Sequence, residues 1–308
     1  MHGRSSRTAV ALGAAAVGVL TWSTLIERQL YTVRNHTVPV LAAGHAPIRV
    51  LHLSDLHLAP WQARKIEWVR SLVELRPDLV ILTGDMMGHL DARMALLHAL
   101  RPLAEAAPMA FVHGSNDYYG PMFKNPVKYL LAPSRLSTRQ PDIDNAALTA
   151  GLIDLGALDL NNAATRVQVN GTALELMGLN DPHIRYDDAD RMRASVAELQ
   201  HSAPDTEALR VGVVHAPYQK SLGALLAEGA DLLFAGHTHG GQVRVPGVGA
   251  LTANCDLPVE QARGLSVWYD AHRAAFLNVS AGLGNSIYAP VRFACRPEAS
   301  LLTLEPVR

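Results

Sequence analysis

The chain is predicted to be an α/β protein, a sandwich of two packed mixed β-sheets flanked by helices. Three observations predict it. Apolar runs of strand length alternate with segments whose apolar residues recur at helical spacing. That alternation places helices on the faces of sheets. An Asn170-Gly171 pair joins two short runs and marks an antiparallel hairpin. Four apolar runs also end at an Asp or a His, as strands do when their C-terminal edge carries chemistry.

The strands are expected over 48–53, 79–83, 109–112, 165–169, 173–177, 211–214, 230–235, 242–245, 275–279 and 301–304. Ile66, Val69, Leu72 and Val73 give 61–75 a helical stripe; Met94, Leu97 and Leu100 do the same for 91–103. Helices are also expected over 145–155 and over 187–199, the latter started by an Asp cap. Residues 118–145 read as an insertion in which Tyr118, Tyr119, Phe123 and Tyr129 interleave with Lys124, Lys128, Arg135 and Arg139. It is a solvated loop, or a basic aromatic lip that meets lipid headgroups or a phosphorylated substrate.

With 308 residues and 49% hydrophobic composition, the chain can bury a sizeable core. Lys and Arg number 27 against 28 Asp and Glu, a net charge of −1. This balance argues against bulk-charge nucleic-acid binding, and no nucleic-acid partner is expected. Cys255 and Cys295 are too few for a disulfide framework; they form one bridge or remain two thiols.

Residues 9–26 carry no charge, follow Arg4 and Arg7, and include Trp22 near their far end. Their length suits a bilayer-crossing helix, which takes about 17–25 residues. A cleaved signal peptide and an ordinary amphipathic or buried helix are the competing readings. The organisation expected is a membrane anchor or signal over 1–26, a tether over 27–47 and one catalytic domain over 48–308.

Asp55-Leu56-His57 and Gly236-His237-Thr238-His239 each put metal-ligand side chains at i and i+2, which share one side of an extended segment. Gly84-Asp85 and His215 end the other two runs. Alone, each Asp reads as a cap and each His as a structural imidazole; six at strand ends read as a metal centre. Six O and N donors without a thiolate exclude a structural zinc finger and exceed what one catalytic zinc takes. A two-ion site divides them sensibly. Asp55, His57 and His239 would hold one ion, His215 and His237 the other, and Asp85 would bridge. The donor set suits two divalent ions of Mn, Fe or Zn. Such a pair suits an anionic phosphoryl substrate attacked by a metal-bridging hydroxide.

These motifs, with Gly114-Ser115-Asn116-Asp117 between them, resemble in type and order those of the calcineurin-like metallophosphoesterases. The resemblance covers residues 48–308. Gly236 through Gln242, and Gly282 through Glu298, resemble a membrane-associated branch of that family. It implies the family's two-sheet sandwich and a hydrolase of phosphoester bonds, with phosphodiesters as substrates. It further implies membrane attachment, with the catalytic domain outside the cytoplasm. It assigns Asn116 and Asp117 to the catalytic loop, Asp117 to orient it. Arg292 would contact substrate or a structural carboxylate. Without a gap, Ser115 takes the family's ligand Asn and Asn116 takes its His; a local slip brings Asn116 to the metal instead. An Asn cannot donate a proton near neutral pH. His89, His113 and His183 are the possible substitutes. Two other readings use the same residues: a non-catalytic metal-binding scaffold, and another dinuclear hydrolase such as an amidohydrolase or peptidase.

Overall fold

The computed structural model describes residues 2–122, 140–202, 205 and 207–307, with backbone alone for 2–11. In chain order the strands are β1 (Thr32–Leu41), β2 (Ile48–Leu53), β3 (Leu79–Leu82), β4 (Met109–Phe111), β5 (Leu158–Asp159), β6 (Ala163–Val169) and β7 (Thr172–Leu179). Then come β8 (Leu209–Val214), β9 (Leu232–Ala235), β10 (Arg244–Val245), β11 (Gly249–Ala250), β12 (Gly264–Tyr269), β13 (Ala274–Val279) and β14 (Glu298–Pro306). One six-stranded sheet has the order β1-β14-β2-β3-β4-β5 and the other β12-β13-β9-β8-β7-β6; β10 and β11 form a small ribbon. Both sheets mix parallel and antiparallel pairs, as expected.

Side-chain alternation along the strands builds the layers. On β2, Ile48 and Val50 face the second sheet, where they join Leu79, Ile81, Val211, Val213, Leu232 and Phe234. Leu51 and Leu53 face outward and pack with residues of α2 (Ala63–Ser71), α3 (Arg93–Ala106) and α4 (Asn145–Asp154). The second sheet's outer face buries Leu179, Val214 and Leu233 with Met192 and Val196 of α5 (Ala189–Ser202) and Leu222 and Leu225 of α6 (Gln219–Ala227). The order is helices, sheet, sheet, helices.

Local chemistry fixes the ends. Asn170 and Gly171 take φ of 49° and 81°, the left-handed pair that a tight hairpin requires. The Asp144 carboxylate accepts from the Ala147 N–H at the start of α4. Asp188 does the same for Arg191 at the start of α5, the expected Asp cap.

Two expectations change. Residues 32–41, read as part of a tether, form edge strand β1, paired parallel to β14. Its polar composition is that of an edge strand, and Pro39 lies at the register shift where no ladder bond is needed. The 9–26 segment is not one spanning helix. Helix α1 (His2–Thr21) ends at Thr21, followed by a π-helical turn over Trp22–Ile26 and a 3-10 turn over Glu27–Gln29. Among the described residues no helix is long and apolar enough to cross a membrane. Cys255 and Cys295 are both free. The basic residues expected between 124 and 139 lie outside the described residues.

Candidate metal centre

Strands β2, β3 and β4 run parallel, as do β8 and β9, so their C-terminal ends share one edge of each sheet. The ligand motifs are the turns that follow. The i and i+2 pairs do not converge through extended backbone. Asp55, His57, Asp85, His237 and His239 all have positive φ, of 48°, 38°, 51°, 66° and 49°. Non-glycine residues there carry strain of about 1–3 kcal/mol each, which concentrates at functional sites. The backbone curls so that both side chains of a pair face the sheet edge. Neighbouring glycines allow the closeness. A Cβ on Gly236 would overlap Ser54 Oγ, and one on Gly114 would strike Asp85 Oδ1 and His215 Cε1.

The six candidates meet. Asp55, His57, Asp85 and His239 each offer an atom within 4.8 Å of the others. His57 Nε2 lies 3.2 Å from His239 Nε2 and 3.5 Å from Asp85 Oδ2. His239 Nε2 is 3.5 Å from Asp55 Oδ1. On the far side of Asp85, His215 Nε2 is 3.5 Å from Oδ1 and 3.3 Å from His237 Nδ1. Donors about 2.1 Å from one ion, at angles of about 90–110°, lie about 3.0–3.4 Å apart. The observed spacings fit shared cations.

The second nitrogen of three imidazoles points to a backbone carbonyl. His215 Nδ1 lies 2.6 Å from Thr83 O, His239 Nδ1 3.2 Å from Gly284 O, and His237 Nε2 3.2 Å from Asn254 O. Each N–H donating to its carbonyl leaves the opposite lone pair facing the centre, the tautomer a metal requires.

Electrostatics agree. Burial pushes His57 down to about 3 and holds His237 and His239 well below the usual imidazole range. Burial raises Asp55 to about 6, against hydrogen bonds from Ser54 and the His237 N–H. Burial also lowers His215, but Asp85, Asp181 and Asp55 outweigh it and lift the group to about 9. Buried carboxylates that hold a proton on a neighbouring imidazole favour a cation in the same place.

Asn116, rather than Ser115, reaches Asp85. Its backbone N–H donates to Oδ1 at 2.8 Å and its amide lies 2.7 Å from Oδ2. The expected slip toward Asn116 is what this geometry supports. Asp117 does not touch the reacting centre. Its carboxylate accepts from the Met86, Met87 and Gly114 N–H groups, tying the Asp85 turn to the Asn116 turn. Its bonds hold the two turns in register with each other.

Arg292 requires a correction. It is fully buried, so it cannot meet substrate. Its guanidinium donates to the carbonyls of Ala281, Gly282, Gly284 and Cys295. It braces the loop behind His239. That loop is gripped in turn from the N-terminal segment. The Glu27 carboxylate accepts from the Ala294 and Cys295 N–H groups and from the Trp22 indole, and Ser23 O accepts from the Arg292 N–H.

Two further buried charged residues lie near the centre. Lys65 donates to Leu56 O at 2.8 Å, and burial lowers it to about 7, with Arg292 and Arg28 adding to the effect. Asp181 is fully buried; Oδ1 accepts from the His183 N–H, while Oδ2 has no partner. Burial raises it to about 7. The signal for Asp181 was present: it stands just past the apolar run of β7, as His215 does past β8. Lys65 lies on a helix face and carries no such signal. Of the three alternative histidines, His89 lies beside Asp91 and Trp61, and His113 is buried against Thr149. His183 lies against the centre, its ring 4.7 Å from that of His237.

Residues 48–241 match the family model described as calcineurin-like phosphoesterase. The chain belongs to that family. It is a metal-binding hydrolase of phosphoester bonds. It is 29% identical over 277 residues to the Escherichia coli K12 phosphodiesterase YaeI, covering 87% of this chain and 86% of that protein. It is 22% identical to the Bacillus subtilis metallophosphoesterase YkuE, covering 95% and 94%. To the Chlamydia trachomatis UDP-2,3-diacylglucosamine pyrophosphatase LpxG it is 24% identical, covering 94% of each.

Proposed function

We propose that this phosphoesterase cleaves phosphodiesters with two divalent cations held between its sheets. The observation that carries the reading is Asp85, which faces His57 with one oxygen and His215 with the other, each at 3.5 Å. A carboxylate flanked by nitrogen donors on both sides is placed to bridge. Asp55, His57 and His239 hold one ion; His215 and His237 hold the other. The Asn116 amide, turned over, adds an oxygen donor. The donor set suits Mn, Fe or Zn. When bound, the pair supplies a nucleophile from water near neutral pH and neutralises charge on the phosphoryl oxygens. The chain's part is to fix the imidazole tautomers, place two carboxylates among them and keep both turns in their strained form. The diester preference is supported by the name of the E. coli relative.

The proposal includes attachment to a lipid surface through the N-terminal segment, with the catalytic domain outside the cytoplasm. Leu12, Val17, Leu20, Leu25 and Ile26 are exposed there, apolar surface of the kind that meets a lipid interface.

Elemental analysis and turnover of bis(p-nitrophenyl) phosphate and p-nitrophenyl phosphate with Mn²⁺ test the reading. Two metals per chain at saturation and faster diester turnover are expected. Asp85→Asn should lose on the order of 10³-fold in kcat/KM. One metal per chain, or an Asp85→Asn variant as active as the parent, ends the dinuclear mechanism.

A further inference from the structure

A hairpin leaves the ligand turn of the second sheet and ends in solvent. Strands β10 and β11 pair Arg244 with Ala250 and Val245 with Gly249. Between them the Val248 N–H donates to Val245 O at 3.0 Å and Gly247 has φ of 82°, closing a Pro246-Gly247 turn. Turn tips that face water usually carry Asn, Asp or Ser. This tip has no polar side chain. Val245, Pro246, Gly247 and Val248 are exposed in succession, Val248 by 76%, and Leu251 just past β11 is exposed as well. A run of four exposed apolar residues is avoided unless it serves a contact.

The base of the hairpin is tied to the centre and to the N-terminal segment. The Arg244 N–H donates to Phe293 O, the Phe293 N–H to Gln242 O, and the Arg244 guanidinium to Gly240 O. The chain enters the hairpin from His239 and returns to Asn254, whose carbonyl meets His237. Phe293 lies within residues 292–295, which Glu27 and Ser23 grip. The hairpin and the exposed Trp22, Leu25 and Ile26 therefore flank one short stretch of chain. Cations gather there too. Arg28 follows Glu27, Arg34 and Arg263 reach the Glu298 carboxylate, and Arg244 and Arg296 complete a group of five partly or fully exposed arginines. Against them stand Glu27 and Glu298, both buried, and the exposed Glu260. An excess of arginine beside exposed apolar side chains suits a surface of anionic headgroups.

We infer that the β10–β11 hairpin is a lipid contact of its own, its Val-Pro-Gly-Val tip entering the headgroup region of an anionic bilayer beside the N-terminal segment. The inference rests on the lipid-attachment reading above. Gly241 to Gly247 is about 20 Å of chain at most, so a tip among the headgroups holds His239 within that reach of them.

The test is co-sedimentation of the full chain with vesicles of phosphatidylglycerol and phosphatidylcholine. Val248→Asp should lower the partition coefficient about tenfold, and Val245→Asp about as much. Val248→Leu should stay within about twofold of the parent. Melting temperature and lipid-free turnover of bis(p-nitrophenyl) phosphate should not change in any of the three, which shows the fold and the centre intact. A Val248→Asp protein that partitions within twofold of the parent overturns the inference. So does a parent that dimerises without lipid through the tip, seen as a dimer in sedimentation velocity that Val248→Asp abolishes. A parent that leaves the vesicles unbound overturns the lipid-attachment reading and this inference together. A parent whose binding is lost in Leu25→Asp and kept in Val248→Asp fails this inference alone.

Discussion

The two sheets hold their shares of the centre by different means. The first sheet contributes Asp55, His57, Asp85 and Asn116, and its turns are pinned through the backbone. Lys65 grips Leu56 O, and Asp117 gathers three amides of the neighbouring turns. The second sheet contributes His215, His237 and His239, and these are pinned through the side chains, each imidazole meeting a carbonyl. The difference follows from donor chemistry. A carboxylate that binds metal has no hydrogen to give and is held by donors around it, Ser54 and the His237 N–H for Asp55 and the Asn116 N–H for Asp85. An imidazole has a spare N–H and fastens itself.

The contrast is open to attack at three points. Asp117→Ala would leave three buried amides unpaired, a loss of about 3 kcal/mol or more in unfolding free energy by denaturant titration. Activity should fall further than stability alone explains, because the Asp85 and Asn116 turns separate. Asp117→Asn keeps an acceptor and should fall between the two. An Asp117→Ala protein with full stability would show that the first sheet's turns do not depend on backbone pinning.

Acid should act on the seam between the sheets. His52 on β2 is fully buried, with Nε2 2.9 Å from Thr83 Oγ1 and Nδ1 2.8 Å from the Asn278 amide of β13. Burial lowers it to about 3. A base depressed in the folded state is protonated first in the unfolded chain. Its share of stability is therefore whole above pH 6.5 and lost as pH falls from 6.5 toward 3. The loss is about 1.4 kcal/mol per pH unit inside that window. Metal-free protein titrated by urea at pH 7 and pH 5 should show it, and His52→Gln should flatten the dependence. An unchanged slope in that variant assigns the acid sensitivity to the ligand histidines.

The smallest effect is expected at Lys65. Lys65→Met relieves the burial of a charge while losing the bond to Leu56 O, so unfolding free energy should move by about 1 kcal/mol or less. Metal affinity should drop about tenfold as the Asp55–His57 turn loosens. Isothermal titration with Mn²⁺ reads this directly. Affinity equal to the parent would deny Lys65 its part in the first sheet's bracing.

Much of the centre was legible because strand ends leave a linear trace. Asp55, Asp85, His215 and His237 each follow an apolar run, and the structure brings all four together. The braces left little trace. Arg292 and Lys65 look like surface cations in a sequence, since burial of a long basic side chain has no periodicity. Asp117 looks like a turn residue and is one, but its amides belong to two turns about 30 positions apart. Strand β1 escaped because its polar alternation lacks the continuous apolar run of the inner strands, and β12 because one of its faces is exposed. The left-handed turns were out of reach, because Asp and His occupy conformations that glycine more commonly marks.

The grip of Glu27 and Ser23 on residues 292–295 makes the N-terminal segment a root of the centre rather than a leash. Tugging or tilting α1 would load the same peptide groups that Arg292 uses to steady the loop behind His239. A shortened protein intended to keep its metal affinity should therefore begin no later than Trp22.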